Sequence, residues 1–96
     1  MITFNMLHAR RDEIIALAAR HKADHVRVFG SVARDEAGEN SDLDLLVNFL
    51  PDASLFDLIH LKDEAEHLLG VPVDVVAEGG ISPFLEKTIL EEAREI

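Results

Sequence analysis

The stretch GSVARDEAGENSDLDLL, residues 30–46, decides the expected fold, because it joins a Gly-Ser turn, a polar loop and the start of an apolar strand. Leu43, Leu45 and the apolar residues after them indicate a β-strand, yet Asp42 and Asp44 stand in it at positions i and i+2. Side chains at this spacing in a strand project from the same face, about 6.6 Å apart along the chain. Two neighbouring carboxylates repel each other, so this pair needs a partner of opposite charge.

The sequence of the N-terminal half predicts a helix, a strand and a short helix before Asp42 and Asp44. Apolar residues at helical spacing predict a helix over residues 7–21, and the alternation in HVRVFG, residues 25–30, predicts a half-buried strand. Ser31 is expected to cap a short helix that runs to about Glu36. After a polar loop, DLDLLVNFL, residues 42–50, predicts the second strand.

The C-terminal half predicts a helix, a strand and a last helix. Ser54 is expected to cap the longest helix, with Asp57 completing a capping box, and Gly70 ends it. VPVDVVA, residues 71–77, predicts the third strand. A last helix begins at Ser82-Pro83, and the acidic run EEARE near its end is expected to be a solvated helix face.

Length and element order indicate the fold class. Ninety-six residues allow one hydrophobic core, so we expect a single domain over residues 1–96. Helices alternating with strands predict an α/β (α+β) fold with one sheet of three or four strands flanked by helices. Strand order and direction do not follow from periodicity.

Composition excludes several classes of protein. Nineteen acidic and nine basic residues give a net charge of −10, which disfavours direct binding of DNA or RNA. No apolar run reaches the roughly 18 residues of a membrane span, and the N-terminus lacks a signal-peptide pattern, so we expect a cytoplasmic protein. The absence of cysteine excludes disulfides and thiolate metal sites.

A third aspartate, Asp74, interrupts the apolar strand VPVDVV in the same way as Asp42 and Asp44. A carboxylate buried without a partner costs several kcal/mol or becomes protonated. Mg²⁺ resolves this conflict, because it prefers oxygen ligands and binds through one or two carboxylates together with phosphate oxygens and water. Three aspartates on adjacent strands can hold one or two such ions.

Gly30 and Ser31 predict a phosphate site beside these aspartates. Glycine allows a phosphate to approach the main chain without a Cβ in the way, and Ser31 adds a hydroxyl and free N–H groups. Arg34 lies three residues after Ser31, so its guanidinium can reach a phosphate. An ion pair of Arg34 with Asp35, Glu36 or Glu39 is the alternative.

Each of these motifs alone is common in a turn or a solvated strand end, but their combination is specific. Gly30-Ser31, ten further residues and Asp42-x-Asp44, with Asp74 on a later strand, resembles the signature of the nucleotidyltransferase superfamily. The chain looks like its minimal nucleotidyltransferase (MNT) branch over nearly the whole length. Asp35 stands where many members of that branch have glycine.

The resemblance implies a nucleotidyltransferase fold with a small mixed sheet, and an enzyme that is an antitoxin. Members of this branch transfer AMP from ATP to a tyrosine of a HEPN-domain RNase toxin. Asp42, Asp44 and Asp74 then become Mg²⁺ ligands and catalytic residues, with Asp74 either a ligand or the base that accepts the hydroxyl proton. Gly30, Ser31 and Arg34 become the nucleotide-binding residues.

Two other functions stay open at this point. The chain can be an antitoxin subunit that inhibits its toxin by binding alone, or a dimeric nucleotidyltransferase that modifies a small molecule. The short chain leaves no second lobe to hold an acceptor, which favours an acceptor presented by another protein. The apolar faces of the first and last helices are candidate partner surfaces, unless the core uses them fully.

Overall fold

The structure is a computed structural model that describes all 96 residues, Met1–Ile96. Its helices are α1 Phe4–Ala9, α2 Arg11–Arg20, α3 Gly30–Ala33, α4 Leu55–Leu69 and α5 Pro83–Glu92. Its strands are β1 Ala23–Phe29, β2 Leu43–Phe49, β3 Val73–Ala77 and β4 Arg94–Glu95, and a 3-10 turn, Glu78–Gly80, follows β3. The expected α/β (α+β) class is confirmed.

The N-terminal helix is divided in two at Arg10, so the prediction of one helix over residues 7–21 is wrong. Arg10 leaves the helical conformation, with φ −109° and ψ 19°. Its guanidinium donates to the carbonyl oxygen of Leu68 at 2.9 Å and to the carboxylate of Glu13 at 3.0 Å. These contacts hold the junction of α1 and α2 against the end of α4.

The longest helix, α4, begins and ends as predicted. The backbone N–H of Ser54 donates to the Asp57 carboxylate at 2.8 Å, and the two residues form the expected capping box. Gly70 follows the helix with a left-handed φ of 70°, which costs a glycine little.

The short helix α3 differs from its prediction at both ends. Phe29 occupies the position before the first helical residue, so the expected cap by Ser31 is wrong, and Ser31 lies inside the helix. The helix ends at Ala33 rather than near Glu36. Phe29 makes no capping hydrogen bond to the first turn, because its side chain carries no acceptor.

The sheet is mixed, with strand order β3-β2-β1-β4. Strand β1 runs antiparallel to β2 and β4. Strands β2 and β3 are parallel, since α4 returns the chain between them. In this register Asp44 lies opposite Asp74 on one side and opposite Phe29 on the other.

The C-terminal end forms a strand that the sequence pattern does not predict. The helix face expected over residues 91–95 is wrong in part, because α5 ends at Glu92 and Arg94–Glu95 pairs with Arg27 and Val28 of β1. Two residues are too few to show an alternation of apolar and polar side chains. The strand therefore forms through its pairing with β1.

The hydrophobic core lies on one face of the sheet, with side chains from α1, α2 and α4. Leu43 and Leu45 of β2 are 0% and 1% exposed, which confirms that they point into the core. The same cluster of buried residues includes Leu7, Ile14, Leu17, Val28, Leu61, Ala65 and Val73. None of the helices has the length and apolar character needed to cross a bilayer.

Candidate active site

Asp42, Asp44 and Asp74 lie at the end of the sheet where β2 and β3 begin. Asp42 directly precedes β2 and is exposed, Asp44 is the second residue of β2 and is half-buried, and Asp74 is exposed on β3. Because Asp44 and Asp74 are register partners on strands about 4.8 Å apart, the fold brings their carboxylates together.

The Asp44 carboxyl is the most perturbed of the three. Its pKa is raised from the ordinary value of 3.8 to about 6, chiefly by burial and then by the nearby carboxylates of Asp74 and Asp42. The Arg34 guanidinium opposes this rise in pKa, and the Glu92 carboxylate adds to it. A half-buried carboxylate among other carboxylates is a place where a cation relieves repulsion.

Gly30 lies directly against the Asp44 carboxylate. It has a left-handed φ of +72°, and a Cβ built on it stands 2.3 Å from Oδ2 of Asp44. Any larger residue at position 30 would clash with this oxygen and strain the backbone. The fold therefore brings the Gly-Ser motif and the aspartate pair, predicted from separate parts of the chain, into contact.

Arg34 stands at the end of α3 and forms ion pairs with two carboxylates. Its Nε donates to Glu36 at 3.0 Å, and its Nη1 donates to Glu92 at 2.9 Å. The pair with Glu36 is one of the expected alternatives, whereas Asp35 lies 3.7 Å from the Arg94 guanidinium instead. Arg34 is exposed, so its guanidinium lies at the protein surface together with these two carboxylates.

Glu92 is a residue of this site that the sequence does not reveal. Besides its contact with Arg34, its Oε2 accepts from the backbone N–H of Gly30 at 3.3 Å. It comes from the last turn of α5, 62 residues away from Gly30 along the chain. Within a run of acidic residues nothing distinguishes Glu92 from Glu91, which pairs only with Lys87 in its own helix.

Asp35 adopts a left-handed conformation, with φ 60°. Glycine takes positive φ without strain, so a glycine would also fit this position. Aspartate tolerates this region better than most residues. The turn after Arg34 therefore accommodates Asp35.

The three aspartates offer the oxygen donors that Mg²⁺ prefers. No set of three or more His, Asp or Glu side chains is already arranged to hold a metal ion. Mg²⁺ nevertheless needs only one or two carboxylates, because phosphate oxygens and water complete its octahedral shell. The site is also open, and none of the four surface cavities is lined by Asp42, Asp44 or Asp74.

Comparison with known sequences identifies the family of the chain. The family described as "Nucleotidyltransferase domain" matches residues 14–96, which include all six candidate site residues. The chain belongs to this nucleotidyltransferase family. The resemblance based on the Gly-Ser and Asp-x-Asp motifs is thereby confirmed, and the chain is a nucleotidyltransferase.

Two relatives of this nucleotidyltransferase are named for protein modification. One is MJ0435 of Methanocaldococcus jannaschii, named as a candidate protein adenylyltransferase; it is 43% identical over 88% of this chain and 90% of its own length. The other is protein adenylyltransferase MntA of Thermococcus cleftensis, 37% identical over 84% of this chain and 90% of its own.

Solved structures show the same fold. A candidate minimal nucleotidyltransferase superposes with a TM-score of 0.87 at 50% identity, over 99% of this chain and 97% of that one. A toxin-antitoxin structure with AMP-PNP superposes with a TM-score of 0.75 at 22% identity, over 88% of this chain and 69% of that one. The predicted nucleotidyltransferase fold is confirmed.

Proposed function

We propose that this nucleotidyltransferase is a Mg²⁺-dependent protein adenylyltransferase that acts as an antitoxin in the cytoplasm, with residues 1–96 as one domain. It transfers AMP from ATP to a tyrosine of a HEPN-domain RNase toxin and thereby silences the toxin. The observation that most supports this is the half-buried Asp44 carboxylate between Gly30 and Asp74. The relatives named as protein adenylyltransferases favour a protein acceptor.

The aspartates supply the chemistry of the transfer. The tyrosine oxygen forms a bond to the α-phosphorus of ATP while the bond from that phosphorus to the pyrophosphate oxygen breaks. Asp42 and Asp44 hold one or two Mg²⁺ ions, and Asp74 is a third ligand or the base that accepts the tyrosine proton. When bound, Mg²⁺ neutralises the charge that develops on the leaving pyrophosphate.

Gly30, Ser31 and Arg34 bind the phosphates of ATP. The main chain at Gly30 carries no Cβ, so a phosphate can approach its N–H group as closely as the Glu92 carboxylate does. Ser31 follows it and adds a hydroxyl. The Arg34 guanidinium has a planar set of donors that suits phosphate as well as carboxylate.

The last helix provides the surface for the toxin. Helix α5 has no buried residue, and Phe84, Leu85 and Leu90 are 94%, 55% and 43% exposed. The first two helices are used by the core instead, since Leu7, Ile14 and Leu17 are buried. Of the two candidate surfaces, α5 is thus the better one. The net charge of −10 favours the toxin itself, rather than nucleic acid, as the partner.

The chain should modify its toxin when ATP and Mg²⁺ are both present. We expect mass spectrometry of the purified pair to show AMP increments on toxin tyrosines, and chelation of Mg²⁺ by EDTA to abolish them. ATP with a methylene group between the α- and β-phosphates serves as the control, because it cannot release pyrophosphate. A toxin that is inhibited without any increment would instead indicate an antitoxin that acts by binding alone, and AMP found only on small hydroxyl compounds would indicate a small-molecule enzyme.

Replacing Phe84 by aspartate should weaken the complex with the toxin. A large aromatic residue at the centre of an interface often contributes about 2 kcal/mol or more, so we expect the dissociation constant to rise at least tenfold. Isothermal titration calorimetry measures it. Phe56→Asp is the matched control, because Phe56 is 71% exposed on α4. If only Phe56→Asp weakens the complex, the toxin binds α4 and the proposal for α5 is wrong.

A further inference from the structure

We propose that Glu92 competes with the nucleotide for its phosphate-binding groups, so that ATP must displace the Glu92 carboxylate to bind. This inference rests on the proposed function, since it assumes that Gly30 and Arg34 bind phosphate. It adds a residue of α5 to the site and assigns it a regulatory role. The resemblance to minimal nucleotidyltransferases does not include this residue.

The contacts of Glu92 are those that an anionic ligand would make. Its Oε1 accepts from Nη1 of Arg34 at 2.9 Å, and its Oε2 accepts from the N–H of Gly30 at 3.3 Å. One carboxylate thus bridges a guanidinium and a main-chain donor that are four residues apart. Phosphate oxygens bind the same two kinds of donor with similar geometry.

The Gly30 N–H and the Nη1 group of Arg34 cannot make full hydrogen bonds to the Glu92 carboxylate and to a phosphate at the same time. A phosphate placed beside Gly30 and Arg34 would also bring a second negative charge next to Glu92, which is only 24% exposed and therefore weakly screened. Glu36 differs, because it contacts Nε of Arg34 and makes no contact with Gly30. Glu92 is therefore the carboxylate that blocks the site, and Glu36 is a suitable comparison.

Displacement of Glu92 requires rotation of its side chain, not release of α5. The main chain directly after it is held by β4, where Arg94 pairs with Val28 of β1. The Arg94 guanidinium also donates to the carbonyl oxygen of Ala33 at 3.1 Å and lies 3.8 Å over the ring of Phe4. The end of α5 thus stays in place while the flexible glutamate side chain moves.

A purely structural role for Glu92 predicts the opposite result. If the carboxylate only held α5 against the start of α3 and oriented Arg34, its removal would leave Arg34 less well positioned and weaken nucleotide binding. If it competes with the nucleotide, removal frees both donors and strengthens binding. Binding affinity of the nucleotide therefore distinguishes the two roles, whereas thermal stability alone does not.

The test is calorimetric titration of the full chain with Mg²⁺ and α,β-methylene ATP at constant ionic strength. We expect Glu92→Gln to bind about threefold to tenfold more tightly than the unmodified chain, which corresponds to an open fraction of roughly 0.1 to 0.3 before substitution. Glutamine keeps the length and one acceptor oxygen, so the fold should persist. Glu92→Ala, which removes both contacts, should bind at least as tightly as Glu92→Gln.

Glu91→Gln and Glu36→Gln are the controls. Glu91→Gln makes the same change in net charge one residue away, and Glu36→Gln removes the other partner of Arg34. Glu91→Gln should bind the nucleotide within about twofold of the unmodified chain, because a screened charge outside the site changes affinity little. Glu36→Gln frees only Nε of Arg34 and leaves the contact of Glu92 with Gly30 in place, so it should gain less affinity than Glu92→Gln. Circular dichroism melts verify that each variant is folded.

Three results would overturn the inference. Unchanged or weaker binding by folded Glu92→Gln and Glu92→Ala would leave Glu92 with a structural role only. An equal gain in Glu91→Gln would show an effect of net charge alone. If the unmodified chain and every folded variant fail to bind the nucleotide, the proposed adenylyltransferase function itself is wrong, and the inference about Glu92 fails with it.

Discussion

Replacing Asp44 by asparagine is expected to abolish transfer of AMP while leaving the fold and toxin binding intact. The asparagine amide has nearly the same shape but lacks the charge that holds Mg²⁺ against the triphosphate. Loss of a group that stabilises charge in the transition state reduces a rate by roughly 10² to 10³ or more. The rate of AMP incorporation into the toxin measures this. Transfer at a normal rate by Asp44→Asn would show that Asp44 is not a metal ligand.

The same substitution should make the protein more stable at pH 7. Since the pKa of Asp44 in the folded state is about 6 and its ordinary value is 3.8, the folded state holds the proton more tightly than the unfolded state. The resulting stabilisation is fully present below pH 3.8 and is lost as the pH rises through about 6. Ionised Asp44 therefore destabilises the fold at pH 7, and asparagine removes this penalty.

The expected gain in the free energy of unfolding of Asp44→Asn at pH 7 is about 1 kcal/mol. Such a shift in pKa corresponds to roughly 3 kcal/mol at most. The effect on the free energy of unfolding is smaller, because Asp44 is partly exposed and solvent screens its charge. Chemical denaturation of both proteins should show the gain at pH 7 and no gain at pH 3.5. Asp63→Asn, a change at an exposed aspartate of α4, is the charge-matched control. A loss of stability at pH 7 in Asp44→Asn alone would contradict this account.

The sequence predicts those features of the fold that arise from a pattern over many consecutive residues. Helix α4 has fifteen residues, a capping box and a C-terminal glycine, so both of its ends were predictable. Strand β2 has apolar residues that alternate around Asp44, which indicated the face on which that carboxylate lies. The sequence placed Gly30 and Ser31 beside the aspartates, but it did not reveal the direct contact of Gly30 with the Asp44 carboxylate, because no local pattern relates residues fourteen positions apart.

The features that the sequence did not reveal are contacts between distant residues. The break at Arg10 coincides with a hydrogen bond to Leu68, and the two residues of β4 are a strand only because β1 lies beside them. Glu92 belongs to the site through Gly30 and Arg34, about sixty residues earlier in the chain. None of these contacts produces a period of 2 or 3.6 residues, which is the signal that a single sequence provides.

Replacing Gly30 by alanine is expected to reduce AMP transfer at least about 100-fold, because misplacement of a catalytic group by about 1 Å is enough for such a loss. The new Cβ would stand 2.3 Å from Oδ2 of Asp44, so the carboxylate must turn away from its position beside Asp74. The positive φ adds roughly 1 kcal/mol of backbone strain, which lowers the free energy of unfolding by a similar amount. Gly38→Ala is the control, since its Cβ would meet nothing closer than 4.0 Å. If Gly30→Ala is folded and transfers AMP as fast as Gly38→Ala, the position of the Asp44 carboxylate does not limit the reaction, and the role assigned to this contact is wrong.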